Sequence, residues 1–85
     1  MPVLSRFYGI VVFMNYNDHV PAHFHARHQD QEVLVEIETG LVRGAMHTRA
    51  LRRVLEWTDL HHAELRENWQ LARQRKSLKR IDPLS

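Results

Sequence analysis

The sequence predicts an α+β fold, a three- to four-stranded antiparallel β-meander followed by one long C-terminal helix packed on one face. Three observations predict it. Short β-branched and aromatic runs lie between Phe7 and Glu38, separated by turn residues. The apolar period then changes from two to about 3.6 near Thr48. Finally, no proline or glycine interrupts Ala45 to Ile81. A chain of 85 residues supports one small core. Residues 1–72 are assigned to a single domain and 73–85 to a basic, flexible tail.

Phe7 to Met14 reads as the first strand, apolar on both faces and therefore central, with Gly9 marking a bulge or a close backbone approach. Asn17-Asp18-His19 is a turn, and Pro21 disfavours helix at Val20, so the chain enters a second strand at His23 to Gln29 from an extended approach. After a turn at Gln29-Asp30-Gln31, Glu32 to Glu38 alternates. Val33, Val35 and Ile37 point inward, while Glu32, Glu36 and Glu38 point to water and Leu34 breaks the pattern. Thr39-Gly40 turns the chain again, and Leu41-Val42-Arg43 adds an edge strand. Thr48 is the expected N-cap of the helix. Its apolar stripe comprises Leu51, Val54, Leu55, Thr58, His62, Leu65, Trp69 and Ala72, over some 20 to 25 residues whose end could overhang the sheet.

Composition excludes several classes. Without cysteine there is no disulfide framework, thiolate zinc site or cysteine nucleophile. The run Ile10-Val11-Val12-Phe13-Met14 is far shorter than the roughly 20 residues that span a bilayer, and no signal-peptide pattern is evident. A soluble, cytoplasmic protein that does not enter membranes is the expectation. The net charge of +2 divides unevenly. Residues 1–48 hold three arginines against five carboxylates, a net of −2, and residues 49–85 hold nine cations against five, a net of +4. Arg73, Arg75, Lys76, Lys79 and Arg80 form a run with no acid inside it. Such a run is either a solvated terminus or a nucleic-acid-binding patch.

The most specified stretch is His19-Val20-Pro21-Ala22-His23-Phe24-His25-Ala26-Arg27. On a strand, His23, His25 and Arg27 share one face while Phe24 and Ala26 take the other. Imidazoles at i and i+2 can chelate zinc or another divalent metal, with Asp18 or His19 approaching from the turn and His61-His62 as a further source of ligands. The same face could instead place His23 and His25 as general acid and base, with Arg27 on phosphate, for metal-independent RNA cleavage. A third account makes the stretch a rigid turn whose histidines bond to Asp18, Glu36 or backbone. Trp57, Leu60 and Leu71 lie off the helical stripe and are candidate partner-binding residues. Their cover would be a protein partner, a second copy, or the C-terminus folded back through Leu78, Ile81 and Leu84.

Met1-Pro2, Arg6-Phe7-Tyr8-Gly9-Ile10, Asp18-His19-x-Pro21-x-His23-Phe24-His25-Ala26, Ile37-x-x-Gly40, Arg49-Ala50-Leu51 with Glu56-Trp57, and Glu64-Leu65-x-x-Asn68-Trp69 together resemble the domain-of-unknown-function 4160 family of small bacterial proteins. Members commonly carry two prolines before the histidine pair, where this chain has Pro21-Ala22. The resemblance implies a small prokaryotic protein often encoded beside another short reading frame, in arrangements suggestive of toxin–antitoxin modules. The first expectation for function is thus a partner-binding component of such a pair. A histidine-based metal protein or a ribonuclease-like toxin is the alternative, and whether the chain is an enzyme stays open.

Overall fold

A computed structural model describes residues 1–85. Five strands, β1 (Val3–Phe7), β2 (Ile10–Phe13), β3 (His23–His28), β4 (Gln31–Glu36) and β5 (Val42–Gly44), precede two helices, α1 (Thr48–Leu60) and α2 (His62–Arg73). The strands pair antiparallel in sequence order, a pure meander. The α+β class and the meander are as expected, but the element count differs at two places.

The first is Phe7 to Met14, which is not one strand. Phe7 pairs with Ile10, and the two residues between them, Tyr8 and Gly9, take φ values of 50° and 74°. Positive φ at both central positions makes a tight hairpin turn whose twist suits the flanking strands. Gly9 is therefore the turn residue rather than a bulge. The irregularity in β1 falls between Val3 and Ser5 instead.

The second is the helix, which breaks at His61. Continued unbroken over 48–73 it would be about 39 Å long, whereas the longest dimension of the molecule is 33 Å. Thr58 Oγ1 donates to the Val54 carbonyl at 2.7 Å, a local bond that competes with helical geometry. His61 then leaves the helical region at φ −129°, ψ 28°, its N–H donating back to Thr58 O. His47, not Thr48, occupies the N-cap position of α1, and no side chain caps it. The break lets both helices lie on the sheet. Ala50, Val54, Trp57 and Thr58 are buried from α1, and Leu65, Asn68, Trp69 and Ala72 from α2.

The buried face of α1 is thus rotated toward Trp57, leaving Leu51 and Leu55 half-buried at its margin. Trp57, expected to be covered by a partner, a second copy or the folded-back C-terminus, is 0% exposed. Phe7 and Phe24 meet its ring at centroid distances of 5.5 and 5.8 Å, and its Nε1–H donates to the Asp82 carbonyl at 2.8 Å. The cover is the chain's own C-terminus. Of residues 73–85, expected as a flexible tail, Arg73 ends α2 and 74–85 form no helix or strand yet are tied down at several points. Asn68 exchanges two hydrogen bonds with the Lys79 backbone, the Ile81 N–H donates to Leu4 O at 2.9 Å, and the Ile81 side chain is buried in the core. Burying Ile81 and roofing Trp57 offsets the entropy of ordering the segment.

The helices cover the sheet face that carries Leu4, Ile10, Val12, Phe24, Ala26, Val33 and Val35. The other face carries Val11, Phe13, His23, His25, Arg27, Glu32, Leu34, Glu36 and Arg43 by strand alternation and register. Glu36, expected in water, is 8% exposed, because the turn that follows folds Thr39 and Arg43 over it. The loop between β2 and β3 reaches across this outer face and brings Asp18 over it. No helix is long and apolar enough to cross a membrane.

Candidate functional site

His23 and His25 project from the outer face of β3 because the side-chain period of a strand is two. Register places Glu36 opposite His23, and Phe13 and Leu34 on either side of His25. Phe13 stacks on the His25 ring, 5.1 Å between centroids and 10° from parallel, and Trp69 approaches His23 at 5.3 Å. Packing fixes both rings: the side chains of His23 and His25 are only 5% and 15% exposed.

Asp18 comes from the loop. Its Oδ1 accepts the His19 N–H at 2.9 Å, while Oδ2 lies 3.0 Å from His23 Nε2 and 3.5 Å from His25 Nε2. Burial pushes the Asp18 carboxyl up, but the His19 N–H and the two imidazoles outweigh it and hold it below the usual carboxylate range. Asp18 is an anion. One ligand atom from each of Asp18, His23 and His25 falls within 4.8 Å of the others.

The tautomers follow from the remaining partners. His23 Nδ1 lies 2.8 Å from the Pro21 carbonyl, which only accepts, so that nitrogen carries the proton. His25 Nδ1 faces Glu32 Oε2 at 3.4 Å, which places its proton there as well. In neutral imidazoles both Nε2 lone pairs then point at Asp18. A proton on His23 Nε2 would satisfy that ring. It would leave His25 Nε2, which is buried and has no hydrogen-bond partner, its 3.5 Å approach to Asp18 being a charge contact only. Two imidazole lone pairs and a carboxylate oxygen facing one point form the donor set of a divalent cation. Around a tetrahedral zinc with bonds of about 2.0–2.1 Å, ligand atoms stand about 3.3–3.4 Å apart, and Asp18 Oδ2 stands 3.0 and 3.5 Å from the two imidazole nitrogens.

A carboxylate supports the arrangement from behind. Glu32 Oε1 accepts from Arg27 Nε and Nη2 at 3.2 and 2.7 Å while Oε2 faces His25, so Glu32 orients that ring. Sequence reasoning placed Glu32 and Glu36 in water, gave Glu32 no role and offered Glu36 only as a hydrogen-bond partner for the histidines. The register about the Gln29-Asp30 turn, which sets Arg27 opposite Glu32, was the available signal. Beside the cluster, a cavity of about 250 Å³ is bounded by His23, Val20, Pro21, Leu34, Glu36 and Arg43, with His19 at its rim.

The other predicted residues lie elsewhere. His19 is the metal candidate left outside, its ring 93% exposed and 3.6 Å from the far oxygen of Asp18. His61 packs on Trp57 and bonds Glu64, away from β3. Of the three partner-binding candidates, Trp57 is buried, Leu71 half-buried and Leu60 exposed. Arg73, Arg75, Lys76 and Arg80 are exposed, and Lys79 pairs with Glu67 at 2.8 Å.

Comparison with known protein families matches residues 9–70 to a family described as Domain of unknown function (DUF4160). No curated protein and no solved structure gives a match.

Proposed function

The chain belongs to the DUF4160 family, and within it we propose that Asp18, His23 and His25 form a divalent-metal site, zinc being the ion this donor set suits. The observation that carries this reading is the buried, unpartnered Nε2 of His25, aimed at a carboxylate that His23 also faces. The large majority of buried polar atoms are satisfied in folded proteins, and a cation satisfies all three donors at once. The ligating form carries its proton on Nδ1 and leaves Nε2 free, and the Pro21 carbonyl and Glu32 select that tautomer by accepting from Nδ1. A bound ion would polarise an oxygen ligand or lower the pKa of a bound water, so hydrolytic chemistry is within reach of the site.

Two other readings are less favoured. Metal-independent cleavage by His23 and His25 needs Arg27 free for phosphate, but its guanidinium is held by Glu32. A partner-binding role in a toxin–antitoxin-like pair keeps Leu60 on α1 and the exposed cations of 73–80 as contacts, without the Trp57 surface that motivated it.

Calorimetric titration of untagged protein with zinc tests the proposal. One equivalent should bind, His25→Gln and Asp18→Asn should each abolish saturable binding, and His61→Gln should leave it intact. Absence of saturable uptake by the folded wild-type protein, or uptake indifferent to His25→Gln, would overturn it.

A further inference from the structure

The cavity beside His23 has a wall chemistry of its own. Glu36 at its base is buried, its Oε1 accepting from Thr39 Oγ1 at 3.0 Å. Oε2 makes no hydrogen bond within the chain, and Arg43 Nη2 stands 3.6 Å from it, too long for one. Arg43 reaches in from β5, its side chain 67% exposed, and its donors are otherwise uncommitted. An anion and a cation therefore stand side by side at one end of the cavity without satisfying one another. Val20, Pro21 and Leu34 supply apolar surface, and His23 closes the side toward the metal cluster.

We infer that this cavity binds a free α-amino acid with an aliphatic side chain, its carboxylate on Arg43, its ammonium on Glu36 and its side chain against Val20, Pro21 and Leu34. The head group of such a zwitterion carries a carboxylate and an ammonium on one carbon, the mirror of the Arg43 and Glu36 pair. Arg43 can offer the carboxylate two parallel N–H groups, which its contact with Glu36 does not use. The paired charges on the wall leave the cavity no net charge from Arg43 and Glu36, which matches a zwitterion better than a phosphate or a simple acid. At about 250 Å³ the space is below the range of drug-sized ligands and suits a small metabolite. Val20 is 68% exposed at the mouth, so apolar surface here is covered when the ligand enters.

The inference stands apart from the metal reading, since Arg43 and Glu36 are outside the cluster and the test is run without metal. Leucine is titrated into metal-free, isotope-labelled protein and followed by NMR. Shifts confined to Val20, Leu34, Glu36 and Arg43 should saturate by about 10 mM. N-acetylleucine, which lacks the ammonium, and leucinamide, which lacks the carboxylate, should each bind at least about tenfold more weakly, as should leucine to Arg43→Met. Arg43→Met removes only an exposed side chain, so folding is checked by an otherwise unchanged spectrum. No shifts in the folded protein would overturn the inference. So would binding of N-acetylleucine or leucinamide as tight as that of leucine, or undiminished binding by Arg43→Met. A chain terminus rather than a free amino acid as occupant would show as leucinamide or N-acetylleucine binding as well as leucine.

Discussion

Asn68 on α2 and Lys79 in the C-terminal segment bind one another as two strands would: Asn68 Nδ2 donates to Lys79 O at 2.9 Å and the Lys79 N–H donates to Asn68 Oδ1 at 2.8 Å. One buried side-chain amide thereby stands in for a backbone partner and holds the segment that roofs Trp57. Asn68→Ala leaves both backbone groups of Lys79 without protein partners and should cost about 2 kcal/mol. Asn68→Asp keeps the acceptor and loses the donor, so it should fall between. Urea unfolding of the three proteins gives the order directly, and an unaltered midpoint for Asn68→Ala would detach the amide from stability.

Glu32 lies behind His25 and touches no other member of the cluster. If it orients the ring, Glu32→Gln should weaken zinc binding by about tenfold without abolishing it. Arg27→Ala, which frees Glu32 from its guanidinium, should have a smaller effect. Calorimetry on both variants distinguishes orientation from direct ligation, because a ligand's loss would remove saturable binding altogether.

Arg66 on α2 clamps Glu38, the residue after Ile37, through Nε at 2.7 Å and Nη2 at 2.9 Å. That hydrogen bonding holds the Glu38 carboxyl below its ordinary value of 4.5 and raises the Arg66 guanidinium. A carboxyl depressed by folding contributes stability that is fully present above the unfolded pKa and is lost as pH falls through the folded one. The stability gap between wild type and Arg66→Gln should therefore be flat near neutrality and close below about pH 4.5. Both groups are exposed, so added salt should narrow it at any pH.

Gly44 ends β5 at φ 98°, and a Cβ there would stand 2.8 Å from the Glu32 carbonyl oxygen. Backbone cannot move aside as a side-chain tip can. Gly44→Ala should cost about 2 kcal/mol and loosen the β4–β5 pairing, seen as faster amide exchange at Val42. Gly9→Ala shares the positive φ but meets nothing nearer than 3.8 Å, the ring of His28, and should be milder.

Periodicity carried the fold a long way. Alternation in β4 and the helical spacing after Thr48 identify the sheet and the α-helical layer, and the i, i+2 histidines with Asp18 identify the cluster. What periodicity cannot express is interruption. Tyr8-Gly9 hides a hairpin inside a continuous apolar run, because both strands flanking it are rich in the same residues. His61 breaks a helix without proline or glycine, because the break answers to the size of the sheet and to Thr58 rather than to local propensity. Burial of Trp57 depends on Asp82 and Ile81, some 25 residues away, a contact that no window along the chain contains. Glu36 read as part of a wet face because alternation separates two faces and does not say which of them a loop will cover, whereas Glu32 stays exposed as expected.

The three donors of the cluster all fall between positions 18 and 25. Bringing them together closes only a short loop, and the entropy of closure grows slowly from a small base. The unfolded chain can thus gather the same three side chains at modest cost and compete with the native state for the ion. A ligand that binds both states stabilises by the difference of its two affinities. Zinc should accordingly raise the melting temperature by less than its affinity for the native protein would give if the unfolded chain bound none. Metal capture at this site would take all its donors from one loop and one strand, with α2 contributing only support, through Trp69 against His23 and the Ala72 carbonyl on Asn17.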